Sequence, residues 1–188
     1  MDKYIDIRLD LSDGVTPALL VNAAVGRLHT AIVQARVFAA ISFPEADKRG
    51  LGTLIRLHGG EIALKHLEDG KWLKGDKGYF CIDSLKNAPE TTRHLLVQRV
   101  QKKATKSLAS ILRRRVKRGH ITQKEMDEQM KGGQVRENLP PYIRLRSSST
   151  QQNITIFIEQ KEVTDVIEGR VGSYGLSTIQ NPVTVPFF

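Results

Sequence analysis

Three places in the sequence carry residue types that could do chemistry. His29 lies in an apolar segment of helical spacing, and an imidazole, with an ordinary pKa of about 6.5, exchanges protons near neutral pH. Ser147, Ser148, Ser149 and Thr150 follow one another; hydroxyls and free backbone N–H groups at a strand end can hold a phosphate or a ribose hydroxyl. Tyr174 stands in the glycine-flanked segment SYGLS. Each also has a plainer account: a histidine at a helix edge, a polar hairpin turn, a tyrosine filling a turn. His58, His66, His94 and His120 have equal standing with His29 on composition alone. No C-x-x-C, H-E-x-x-H or carboxylate cluster occurs, so no metal site is expected. No P-loop and no G-x-S-x-G elbow occur either, which argues against nucleotide hydrolysis and an α/β-hydrolase.

Charge is the other chemical feature. Residues 99–120 hold nine Lys or Arg (Arg99, Lys102, Lys103, Lys106, Arg113, Arg114, Arg115, Lys117, Arg118) and no Asp or Glu. The chain has 29 basic against 20 acidic residues, so the whole excess of +9 sits in this stretch. Concentrated in this way, positive charge is a docking surface for a polyanion. Nucleic acid ranks first, ahead of an acidic protein. A lipid-surface helix would carry bulky aromatics on its apolar side, and residues 104–118 offer only Ala, Leu, Ile and Val there.

The elements that must position these groups follow from periodicity. Residues 4–9 alternate as a half-buried strand, with Ile5, Ile7 and Leu9 inward and Tyr4, Asp6 and Arg8 outward. Thr16-Pro17 starts a helix expected to run to Ala35, with Leu20, Ala24, Leu28, Ala31, Ile32 and Ala35 as its stripe. Strands are expected over 37–43, 53–58, 79–85 and 94–101, and a helix with Ile62, Leu64 and Leu67 over 61–69. Strand, helix, strand, strand, helix, strand is the ferredoxin-like order. With 6% aromatics, stacking of bases on that sheet is not expected. A helix over 105–118 puts Ala104, Leu108, Ile111 and Leu112 on one side, with Arg115 and Arg118 projecting from its last turn and Gly119 as C-cap. Thr122 and Glu125 form a capping box for a further helix. Strands are expected over 142–146 and 154–159, with weaker candidates over 163–169 and 170–174. The tail VPFF is expected to dock on the body.

The expected fold class is α+β: a ferredoxin-like domain over 1–103, then a part over 104–188 with the arginine-rich helix and a small sheet. No apolar run approaches the roughly 18 residues of a membrane span. The single Cys81 excludes an internal disulfide, fits a reducing cytoplasm and reads as a small buried residue.

Six segments occur in the order seen in one family: MDKYIDIRL, GRLHTAIV with His29, RVQKK, RRRVKRGH, LRSSST, and YGLS followed by VPFF. The chain resembles the type I-F CRISPR repeat-processing endoribonuclease, the Csy-type branch of the Cas six superfamily. The resemblance implies an enzyme that cuts precursor CRISPR RNA at the base of a repeat hairpin without metal or cofactor. The 2′-hydroxyl before the cut attacks, leaving a 2′,3′-cyclic phosphate and a 5′-hydroxyl, and the enzyme stays on the hairpin as a subunit of a type I-F interference complex. By similarity, His29 is the general base or proton shuttle, Ser147 holds the attacking hydroxyl and Tyr174 orients the histidine. Arg99 and Gln101 match positions that read base edges, with Lys102 and Lys103 beside them. Arg113, Arg114, Arg115, Arg118 and His120, with Lys117, match a helix along the major groove. Ser148, Ser149 and Thr150 continue the RNA-binding turn. Gly119 stands where the family has another arginine, Ile154 where it has a stacking aromatic, and the segment between Gln101 and Arg113 is longer. The alternatives are a binding-only hairpin subunit, a DNA-binding module and an acidic-protein adaptor.

Overall fold

A computed structural model describes residues 1–73, 78–101, 108–131, 140–146 and 151–188. Its elements are β1 (Lys3–Leu9), α1 (Pro17–Ala35), β2 (Ala40–Ser42), β3 (Leu54–Gly59), α2 (Glu61–Glu68), β4 (Phe80–Ile82), β5 (Lys86–Asn87), β6 (His94–Val100), α3 (Leu108–Lys117), α4 (Gln123–Lys131), β7 (Tyr142–Arg146), β8 (Asn153–Val163) and β9 (Thr184–Pro186), with a 3-10 turn at Lys71–Leu73. The protein is α+β.

Two antiparallel sheets carry the strands. The first runs β2-β3-β1-β4 with β5 also on β1, and the second β7-β8-β6-β9. Strand, helix, strand, strand, helix, strand is observed over β1 to β4. Ile5, Ile7 and Leu9 are buried with Leu20, Val21, Ala24, Val25, Leu28 and Ile32 of α1. Ile143, Leu145, Ile156, Ile158, Leu95 and Val97 bring the inner face of the second sheet into the same core. The Gln160 side-chain amide ties the sheets together: it accepts from the Phe43 N–H and donates to the Phe43 carbonyl, both at 2.8 Å.

The contacts group the chain differently from a division at residue 103. One compact unit joins 1–100 to 140–188, and the other is 101–139. The reason is pairing: β6 lies between β8 and β9, which arrive from beyond residue 140. The arginine-rich segment is thus an insertion into a two-sheet body.

Several expectations are corrected. Asp6, assigned outward, is 4% exposed and forms a buried two-bond pair with Arg56, its cross-strand partner. All of β3 is buried, where a half-exposed strand would alternate. Cys81 is exposed, because β4 sets Phe80 and Ile82 opposite Leu9 and Ile7 and leaves Cys81 opposite Arg8. Ile62 is exposed. Only 40–42 of the expected 37–43 strand forms, β8 runs on to Val163, and 170–174 is a loop. By length and composition α1 could cross a membrane, since only Arg27 is charged along it; its six buried residues face the protein core. The tail does dock. The Phe188 carbonyl accepts from Arg56 Nη1 at 2.9 Å, and the Phe187 N–H donates to the Arg93 carbonyl.

Candidate active site and basic surface

His29 sits half-buried on α1, five residues past Ala24 and one past Leu28, both buried. Its Nδ1 is 3.0 Å from the Ser173 carbonyl oxygen. A carbonyl can only accept, so Nδ1 carries the proton; the tautomer this selects leaves Nε2 as the acceptor nitrogen, and Nε2 has no hydrogen-bond partner among the described residues. The ring stacks on Tyr174 with centroids 4.1 Å apart and planes 14° from parallel. One loop thus fixes the imidazole twice, by tautomer and by orientation.

That loop is itself pinned to both sheets. The Gly175 carbonyl accepts from the Ile41 N–H of β2. Ser177 donates its N–H and its hydroxyl to the Val97 carbonyl of β6, and its own carbonyl accepts from the Arg99 N–H. Within the loop, Gly172 N–H donates to Leu176 and Gly175 N–H to Gly172. Gly175 has φ +71°, and a Cβ there would stand 2.9 Å from the Ala39 carbonyl oxygen. Only glycine accepts both conditions without displacing its neighbours. Chain neighbours of Tyr174 are therefore locked between β2 and β6, and the aromatic ring is held where α1 brings His29.

A second contact aligns α1 with β7. Asn22 Oδ1 accepts from the Arg144 N–H at 2.8 Å. Next along β7, Leu145 lies against Gly26, where an added Cβ would meet Leu145 Cδ2 at 3.4 Å. Contacts thus advance along α1 from Asn22 to Gly26, toward His29, as β7 approaches its end at Arg146. Ser147, Ser148, Ser149 and Thr150 lie outside the described residues, as do Lys102 and Lys103.

In the other unit, Arg113, Arg114, Arg115, Lys117, Arg118 and His120 are all exposed and Leu112 is buried. The helix stops as expected. Gly119 adopts φ +70°, the His120 N–H donates to the Arg115 carbonyl and the Gly119 N–H to that of Val116, the paired bonds of a Schellman cap. The capping box of α4 forms too: Thr122 N–H and hydroxyl donate to Glu125 Oε2, and Glu125 N–H to Thr122 Oγ1. Those bonds, led by the Thr122 N–H, hold the Glu125 carboxyl below its ordinary range. Arg99 on β6 and Gln101 are exposed.

His29 and Tyr174, 145 positions apart in sequence, are thus brought into one unit and into contact. Sequence reasoning missed the Ser173 carbonyl, Asn22, Ser177 and the backbone demand at Gly175. Only the last left a signal, the glycine flanking of SYGLS. Of the other histidines, His58 is fully buried against Ser42 and its pKa is pushed down to about 3 by desolvation, then by Arg56. It has no access to a substrate.

A two-sheet α+β body whose core helix carries an oriented imidazole, with an arginine-studded insertion between its strands, defines the class of fold. The sequence comparisons name the group within that class. The chain belongs to the family described as CRISPR-associated protein (Cas_Csy4), whose model matches residues 4–188. It is 30% identical over 190 residues to the CRISPR-associated endonuclease Cas6/Csy4 of Escherichia coli (strain UTI89 / UPEC), covering 100% of both chains. It is 33% identical over 182 residues to the protein of that name from Pseudomonas aeruginosa (strain UCBPP-PA14), covering 94% of this chain and 96% of that one. A solved CRISPR endoribonuclease Cse3 bound to 19 nt RNA aligns over 99% of this chain and 100% of its own at 15% identity and a TM-score of 0.39, too distant to argue from. The chain is a member of an endonuclease family, and is an enzyme.

Proposed function

We propose that this protein binds the stem-loop of a CRISPR repeat and cuts the precursor RNA at the base of the stem. The observation that carries the reading is the His29 imidazole: Nδ1 committed to Ser173, Nε2 without a hydrogen-bond partner among the described residues, ring stacked on Tyr174. In the proposed step Nε2 takes the proton of the 2′-hydroxyl next to the cut. The 2′-oxygen bonds to phosphorus and the bond from phosphorus to the 5′-oxygen breaks. That oxygen takes a proton, from His29 or from water, leaving a 2′,3′-cyclic phosphate and a 5′-hydroxyl. The RNA's own ribose supplies the nucleophile, so the step calls for no metal or cofactor.

Ser147 is assigned to hold the attacking hydroxyl. Support comes from β7, whose contacts advance along α1 toward His29 as it nears Arg146. Tyr174 is the positioning residue for the imidazole. Arg99 and Gln101, with Lys102 and Lys103, are assigned to the foot of the stem. Arg113, Arg114, Arg115, Lys117, Arg118 and His120 are assigned to its phosphates, and Ser148, Ser149 and Thr150 to the RNA beside the cut. Guanidinium groups grip phosphates with paired N–H donors, and the exposure of this helix suits that task. The product hairpin stays bound, and the protein serves as a subunit of a type I-F interference complex in the bacterial cytoplasm.

The test is a repeat hairpin RNA incubated in EDTA, with the product ends determined. Cleavage to a cyclic phosphate and a 5′-hydroxyl supports the reading. Tight binding without cleavage would make the chain a binding-only subunit, and equal affinity for duplex DNA would remove hairpin recognition.

A further inference from the structure

The two segments that meet at His29 and Tyr174 meet a second time close by. Beyond α1 the chain turns at Arg36, which adopts the left-handed conformation at φ 55°, and passes through Phe38 and Ala39 into β2. Ala39 lies against Gly175, the neighbour of Tyr174. Phe38 is 51% exposed, and the Arg170 guanidinium lies over its ring at 4.8 Å. Arg36 and Arg170 are both exposed and neither has a carboxylate partner among the described residues. An exposed large aromatic is costly to leave in water, and here it is topped by a cation rather than covered by protein.

Helix geometry sets the scale. Arg36 lies seven residues past His29, about 10 Å along the axis at 1.5 Å per residue, a step or two along an RNA backbone. A guanidinium over an aromatic ring, with a second arginine two residues along the chain from that ring, is chemistry suited to single-stranded nucleic acid: a base stacks on the π-face while the guanidinium groups meet phosphates. Stacking of this kind tolerates any base.

We propose that Phe38 and Arg170, with Arg36, form a subsite for the single-stranded RNA flanking the hairpin next to the cut. The proposal rests on the hairpin-cutting reading above and adds to it a grip on RNA outside the stem. It also assigns a purpose to the left-handed turn at Arg36. That turn ends α1 abruptly and directs Phe38 back toward the loop that carries Arg170.

The test measures affinity for three RNAs carrying a 2′-deoxy substitution before the cut, which blocks cleavage: the bare hairpin, the hairpin with a 5′ single-stranded extension, and the hairpin with a 3′ extension. Expected for the wild type is tighter binding of one extended RNA than of the bare hairpin. Phe38→Ala and Arg170→Ala each weaken that extended complex about tenfold, the size of one lost base stack, and leave the bare hairpin unchanged. Arg36→Ala lowers the salt slope for the extended RNA by about 0.7, one single-strand phosphate. The bare hairpin controls for folding of each variant. An extension that adds nothing to wild-type affinity, or variants that weaken bare and extended RNA alike, would overturn the subsite. If the wild type fails to bind even the bare hairpin, it is the hairpin reading that falls.

Discussion

The two compact units hold the residues proposed to function by opposite means. The body, 1–100 with 140–188, fixes one imidazole by long-range contacts: Ser173 on Nδ1, Tyr174 on the ring, and a loop anchored to β2 and β6. The insertion, 101–139, presents exposed Arg113, Arg114, Arg115 and Lys117 on α3 and Arg118 and His120 just past its end, finished by local bonds, a Schellman cap and then a capping box. Chemistry needs one group within a fraction of an ångström of one place, and only tertiary packing supplies that. Grip on a polyanion is a sum over many contacts, and locally stable helices suffice for it. Defects in the body should therefore be abrupt and defects in the insertion graded.

Gly175→Ala should give the largest effect short of removing the imidazole itself. Its Cβ would stand 2.9 Å from the Ala39 carbonyl oxygen, at a backbone angle that costs L residues about 1–2 kcal/mol. The loop must shift, carrying Tyr174 and the Ser173 carbonyl with it. Cleavage should fall at least about tenfold, as a displacement near 1 Å can cost more than that, while hairpin affinity stays the same. Parallel loss of cleavage and affinity would erase the contrast between the units.

Acid should act on the body through His58. Its folded-state pKa, about 3, lies below the unfolded value near 6.5, so between these pH values the unfolded chain binds the proton and the folded chain does not. Stability is then fully present above about pH 6.5 and falls as pH drops toward 3, by up to about 1.4 kcal/mol per pH unit. His58→Leu should flatten the pH dependence of urea unfolding. A slope equal to wild type would locate the acid sensitivity elsewhere.

Arg115→Ala and Arg118→Ala should each lower the slope of log affinity against log salt by about one unit and leave the cleavage rate at saturating RNA unchanged. Unchanged slopes in both would remove α3 from the interface. The smallest expected effect is Thr122→Ala, which should destabilise α4 by about 1 kcal/mol. Hydrogen exchange of α4 amides should report it, with body amides unaffected.

What the sequence made legible follows the same division. Capping signals are local: Thr122 with Glu125, and Gly119 after an arginine run, were readable as written. So was alternation where one sheet face meets water, as in β7. Periodicity failed where both faces are covered. Asp6 alternates as an outward residue, and only the register that sets Arg56 opposite it explains its burial. The division of the chain was hidden because β6 takes partners from beyond residue 140. His29 and Tyr174 could be named from a family likeness, yet nothing in their types revealed that the Ser173 carbonyl fixes the tautomer. A backbone oxygen brought from the far end of the chain has no sequence signature.

The most direct test of the central claim is single-turnover cleavage of a repeat hairpin RNA in EDTA by wild type and His29→Ala, with affinity measured alongside. A general base is worth about 10²–10⁴ in rate. The variant should therefore bind the hairpin like wild type and cut it at least about a hundredfold more slowly, and the wild-type product should carry a cyclic phosphate. Cleavage by His29→Ala at the wild-type rate would contradict the account.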